Sequence, residues 1–212
     1  MISTLLSLAL ATVAVVPQAA APRAVGEDEV PIQRAIVEIV SVNGSGCPAG
    51  TTDVAVADDN LSFTVSHRSF IAKAGGGAEP TDARKNCQLA LDVFAPKGFT
   101  FGIASAEYHG FINLQSGATA AQRALYYFQG SANTTVRTHP FKGPLRDDWQ
   151  SVDTTDPASI EYAPCGNDRL FNINTELRVN AGSSNPSATS WISMDNPDRN
   201  PVVRYHFAWK RC

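Results

Sequence analysis

Along most of the chain apolar and polar residues alternate one for one. The clearest run is the last, where Val203, Tyr205, Phe207 and Trp209 fall on one side and Arg204, His206 and Lys210 on the other. Residues 169–179, RLFNINTELRV, repeat the pattern, with Phe171, Ile173, Leu177 and Val179 set against Asn172, Asn174, Glu176 and Arg178. A period of two is the mark of a strand with one face on a core. CQLALDVFAP and GFTFGIASAEYHGFINL follow the same rule, and the Pro96, Lys97, Gly98 between them is turn chemistry suited to a hairpin. Further strands are expected over residues 35–42, 61–66, 123–129, 134–141, 149–153 and 189–194, and TDVAVADD alternates like a strand as well. No window sustains a helical period. The expected fold class is therefore all-β: an antiparallel β-sandwich of jelly-roll or immunoglobulin-like kind, with a closed barrel as the alternative. The longest breaks, AKAGGGAEPTDARKN, DTTDPASIEYAPCGND and NAGSSNPSA, are expected as end loops, where binding function commonly sits.

The N-terminal region breaks the alternation. No charged residue precedes Arg23, the run from Leu5 to Val16 is mostly apolar, and the small residues Ala19 to Ala21 follow. A secretory signal peptide is expected over residues 1–21, a flexible mature N-terminus over 22–34 and a single domain over 35–212. The apolar run is about a dozen residues, short of the roughly 20 that cross a bilayer as a helix, so no stable membrane insertion is expected. Lys and Arg number 17 against 20 Asp and Glu, a net charge of −3 with no basic block. Nucleic acid, whose backbone rewards clustered positive charge, is not an expected partner.

The four cysteines, Cys47, Cys87, Cys165 and Cys212, are widely spaced and include no CxxC pair. In an exported chain this spacing reads as two disulfides rather than a structural zinc site. Four cysteines permit three pairings. Cys47 with Cys87 and Cys165 with Cys212 is the expected one, because each bridge then ties neighbouring segments within one half of the chain.

Candidate chemistry is sparse. GSGCPAGT looks like a phosphate-cradling loop, but it lacks the lysine and the following helix of a P-loop, so a disulfide-anchored turn is the better reading. Sequons at Asn43, Asn60 and Asn133 are candidate glycosylation sites. The histidines His67, His109, His139 and His206 stand singly. Glu107 and His109 share a strand face, a geometry open to acid/base or metal chemistry and equally to a plain solvated face. The acidic turn DNPDRN offers oxygens at Asp195, Asp198 and Asn200 but lacks EF-hand spacing. No metal and no cofactor are expected. GxSxG is absent, and Asp92, Glu107, Asp148 and Glu161 are unranked carboxylates. Tyr126, Tyr127, Trp149 and Trp191 are candidate ligand-contact rings, since planar rings stack on sugars, although rings also build β-cores.

The marks GSGCPAGT, KNCQLALDVFAPKGFTF, EYHGFINLQSGA, YYFQG, FKGP, APCG and the terminal WKRC together resemble the small secreted proteins of domain of unknown function 4360, found in fungi and filamentous bacteria. The resemblance runs from about Ile36 to Cys212. It implies a secreted β-rich domain with paired cysteines and supplies no catalytic residues. The leading expectation is a secreted, extracellular, non-enzymatic binding protein, a monomer, taking a glycan or a protein. The competing expectations are a hydrolase or lyase acting on polysaccharide, and a proteinase inhibitor presenting residues 74–86.

Overall fold

The structure, a computed structural model, describes residues 30–166, 169–194 and 202–212. The expected signal peptide, most of the segment 22–34 and the acidic turn 195–200 lie outside the described residues. The strands are β1 (Ile36–Asn43), β2 (Thr52–Val56), β3 (Ser62–His67), β4 (Ile71–Ala74), β5 (Arg84–Phe94), β6 (Phe99–Leu114), β7 (Thr119–Phe128), β8 (Thr135–Lys142), β9 (Leu145–Thr154), β10 (Phe171–Asn180), β11 (Ser190–Ser193) and β12 (Val202–Arg211). They form two antiparallel sheets, one ordered β1-β5-β10-β7-β8, the other β2-β3-β12-β6-β11-β4 with β9 on the opposite edge of β6.

The alternating faces meet as the pattern requires. Phe171, Ile173, Leu177 and Val179 of β10 and Val203, Tyr205, Phe207 and Trp209 of β12 are all buried between the sheets. Phe101 of β6 reaches Phe128 and Phe171 of the facing sheet, with ring centroids 5.4 and 6.2 Å apart. Each fully buried ring of this kind stabilises by about 1.5–3 kcal/mol relative to exposure. Both expected disulfides are present, Cys47–Cys87 and Cys165–Cys212.

The NGSGCP turn is built for the first bridge. Gly44 has φ 139°, and a Cβ there would lie 2.1 Å from the carbonyl oxygen of Asn86. Gly46 N–H donates to that same carbonyl at 2.8 Å, so the turn is laced to β5 one residue before Cys87. The glycines let the turn approach β5 closely enough for the bridge.

One expectation needs correction. Residues 72–86, read as a long loop, contain β4, a short 3₁₀ turn at Pro80–Ala83 and the start of β5. Asp82 sits between Lys85 at 2.8 Å and Lys73 at 3.3 Å, and the lysine contacts hold its carboxyl below the usual range. A four-residue strand inside a glycine-rich stretch carries too little periodicity to read, and only residues 75–79 of the segment lie outside a strand or the 3₁₀ turn. Ahead of β1, residues 31–35 lie against Asn60. Asn60, at φ 61°, donates Nδ2 to the carbonyls of Pro31 and Gln33 and accepts from Ala35 N–H at 2.9 Å.

The sixteen-residue β6 contains the feature that aims the surface chemistry. Opposite β12, His206 pairs with Ser105 but Phe207 pairs with Ile103, so Ala104 is an extra residue, a β-bulge. Before it Phe101 and Ile103 face the core; after it Ala106, Tyr108, Ile112 and Leu114 do. The inward parity flips from odd to even, and Glu107, His109 and Phe111 turn outward. Further along, Gly110 pairs with Trp149, whose Nε1–H donates to Ser193 O at 3.0 Å across the glycine. A Cβ on residue 110 would lie 1.8 Å from that oxygen.

Substitution Gly110→Ala should therefore destabilise the protein by on the order of 3 kcal/mol in denaturant unfolding, or abolish folding. The double variant Cys165→Ala/Cys212→Ala, with its loop of 47 residues opened, should lose about 4 kcal/mol in the same measurement.

Candidate functional site on the outer face of the larger sheet

Beyond the bulge, every second residue of β6 looks out of the sandwich. Glu107 and His109 sit side by side there, and β12 brings His206 next to them. His206 Nε2 is 3.1 Å from Glu107 Oε1, and His109 Nε2 is 3.9 Å from Glu107 Oε2. The three side chains are 29–42% exposed, so one carboxylate stands between two imidazoles in contact with solvent. Arg204, exposed, is the register partner of Glu107. Beside this group lies a depression of about 370 Å³ lined by Ser62, Thr64, Asp59, Arg204 and His206.

At the other end of the same face Trp191 of β11 stacks on Phe111, with centroids 5.4 Å apart and planes 30° from parallel. Both rings are half-buried. Phe111 follows Glu107 by four strand residues, about 13 Å along β6. The face thus combines an apolar aromatic shelf with a row of donors and acceptors. Among the described residues no group of three His, Cys, Asp or Glu side chains is gathered to hold a metal ion.

The four ring candidates do not come together. Trp149 and Tyr126 are 6% and 5% exposed and belong to the core, so neither ring joins Trp191 on the outer face. Tyr127 faces outward from the smaller sheet, opposite in direction to Trp191. Asn60, 5% exposed with its amide nitrogen committed to two carbonyls, is closed to a glycan, whereas Asn43 and Asn133 are exposed. Of the carboxylates, Glu107 and Asp148 share the outer face of the larger sheet, Asp92 pairs with Glu38 in the smaller one, and Glu161 accepts from Ser131 in the connection before Cys165. Sequence reasoning missed Phe111, although it shares the period of Glu107 and His109.

The remaining histidines are structural or belong elsewhere. His67 is buried edge-on against Phe70, with Nδ1 3.2 Å from Thr52 Oγ1. Burial pushes its pKa down to about 4. His139 contacts Asp153 between the sheets.

Fold and site define a two-disulfide antiparallel sandwich with its candidate chemistry on one sheet face. The chain belongs to the family described as domain of unknown function DUF4360, which matches residues 33–212. It is 33% identical over 173 residues to an uncharacterized secreted protein of Arthroderma benhamiae, covering 82% of this chain and 70% of that protein. Its similarity to the enzymatically active domain of bacteriophage CBA120 tailspike protein 4 is 13% identity at a TM-score of 0.29, over 84% of this chain and 20% of that one. For the cowpea mosaic virus top component the values are 9% and 0.25, over 84% and 89%.

His67 makes stability depend on pH. The unfolded chain takes up this proton near pH 6.5, the fold only near 4, so between those values the unfolded state binds more protons and stability falls as pH falls. Denaturant unfolding should show up to about 3 kcal/mol lost from pH 7 to pH 4, and His67→Gln should flatten that slope.

Proposed function

We propose that the chain is an exported, non-enzymatic binding protein, acting as a monomer, whose larger sheet takes an extracellular polysaccharide across its outer face. One observation carries the reading: the Trp191–Phe111 stack lies on the same face as the Glu107, His109 and His206 group. A sugar chain presents apolar ring faces and hydroxyl edges in alternation, and this face offers an aromatic shelf followed by acceptors and donors. The hydroxyls find a carboxylate acceptor in Glu107 and donors in Arg204 and the imidazoles. Export is supported by the paired cysteines, by the apolar N-terminal run and by a secreted relative. Glycans at the exposed Asn43 and Asn133 would leave the face clear, since Asn43 ends β1 of the other sheet and Asn133 precedes β8.

Pull-down of the mature protein on insoluble wall polysaccharides should show retention on at least one polymer without release of reducing ends. Trp191→Ala should weaken that retention at least about tenfold, equivalent to 1.4 kcal/mol. Retention on no polymer would remove the reading, retention indifferent to Trp191 would move the ligand elsewhere, and released reducing ends would make the protein a hydrolase.

A further inference from the structure

The edge of the sandwich between β8 and β9 is chemically unlike the rest of the core. These two strands end their sheets on the same side and face each other without backbone pairing. Asp153 of β9 points inward, its side chain 3% exposed, and Oδ1 accepts from His139 Nε2 of β8 at 2.9 Å. Arg137 Nε stands 4.0 Å from the same oxygen. Around this pair gather the hydroxyls of Tyr108, Tyr126 and Tyr205, one from each of β6, β7 and β12. The Tyr108 ring lies 6.4 Å from His139 and 6.3 Å from Tyr205. Gln122, fully buried, is the register partner of His139.

Among the described residues, every buried side-chain polar atom without a hydrogen-bond partner belongs to this group, except Ser184 Oγ. They are Asp153 Oδ2, both amide atoms of Gln122, Tyr108 Oη, Tyr126 Oη and Thr155 Oγ1. Tyr108 lies within hydrogen-bonding reach of Tyr205, and Tyr126 of Thr155, although neither contact is well aligned; Asp153 Oδ2 and the two amide atoms of Gln122 have no partner at all. Burial keeps the tyrosines as phenols and raises the Asp153 carboxyl, against the pull of His139 and Arg137. Three atoms with no partner and three poorly paired hydroxyls in one place are far from the rule that buried polar groups are paired.

We propose that this cluster is a second binding site, which takes the hydroxyl groups of small uncharged molecules, either solvent water or a free polyol, between the two sheets. The donor set selects that chemistry. A carboxylate oxygen and an amide oxygen need donors, the amide nitrogen needs an acceptor, and the tyrosine and threonine hydroxyls serve as either. A hydroxyl group or a water molecule is both donor and acceptor. A cation gains little here, because the only carboxylate already faces Arg137 and His139, and an anion is opposed by that carboxylate. His139, 26% exposed, and Arg137, 38% exposed, are the members of the group that reach solvent, so entry is from the β8–β9 edge.

Oxygen-17 relaxation dispersion on the full mature protein counts long-lived internal waters, and thermal unfolding with erythritol at millimolar concentrations reads polyol binding. If water is the occupant, the count drops in Gln122→Leu and the milder Tyr126→Phe, and the melting temperature of each falls. If a polyol is the occupant, erythritol raises the wild-type melting temperature saturably and this response is lost in both variants. The proposal is overturned if the count is unchanged, no saturable response appears, and both variants melt higher, by about 2–4 °C for each kcal/mol of relieved orphaned polarity.

Discussion

One extra residue in one strand decides what the protein shows to its surroundings. With Ala104 bulged out of the β6–β12 ladder, Phe101 and Ile103 stay in the core while Glu107, His109 and Phe111 turn to solvent. Without the bulge the side-chain period of two would carry Glu107 and His109 inward and drive Tyr108 out. The bulge has local support, since Thr155 N–H donates to Ala104 O at 2.8 Å just past the end of β9, whose last pair with β6 is Thr154 with Ser105. It lies between two demands on one strand: the aromatic core near Phe101 and the polar outer row after Ser105.

The scaffold around that strand holds its position. β6 is bonded to β12 and β11 along one edge and to β9 along the other, and the glycine at 110 lets the Trp149 indole cross to Ser193. The two disulfides act further out. One fastens the turn after β1 to β5, the other fastens the end of β12 to the segment before β10. The outer face therefore rests on rigid strands rather than on long end loops. The outer face is formed by neighbouring strands, while the β8–β9 edge holds the buried Asp153 and its neighbouring hydroxyls.

Much of this architecture was legible in the sequence. Strict alternation in β10 and β12 gave away the inward faces residue by residue, and the cysteine spacing indicated which segments are neighbours. What stayed hidden was short, irregular or non-local. β4 has four residues beside three consecutive glycines, so no period could be read. The bulge falls in GIASA, where glycine, alanine and serine carry no preference for either face. The contact of His206 with Glu107 spans 99 residues and depends on register across β12. Ring identity alone did not separate Tyr126 and Trp149 in the core from Trp191 outside, because aromatic surface is equally suited to packing and to ligand stacking. Asn60 had the form of a sequon, and only the fold reveals that its amide is the clasp for the residues before β1.

The facing of β6 can be read directly by chemical footprinting of the native protein with mass-spectrometric detection. The structure predicts that diethyl pyrocarbonate modifies His109 and His206 in the folded state, while tetranitromethane leaves Tyr108 unmodified until the protein is unfolded. Nitration of native Tyr108 together with protection of His109 would mean that the strand runs with the opposite parity, and the outer face described above would not exist.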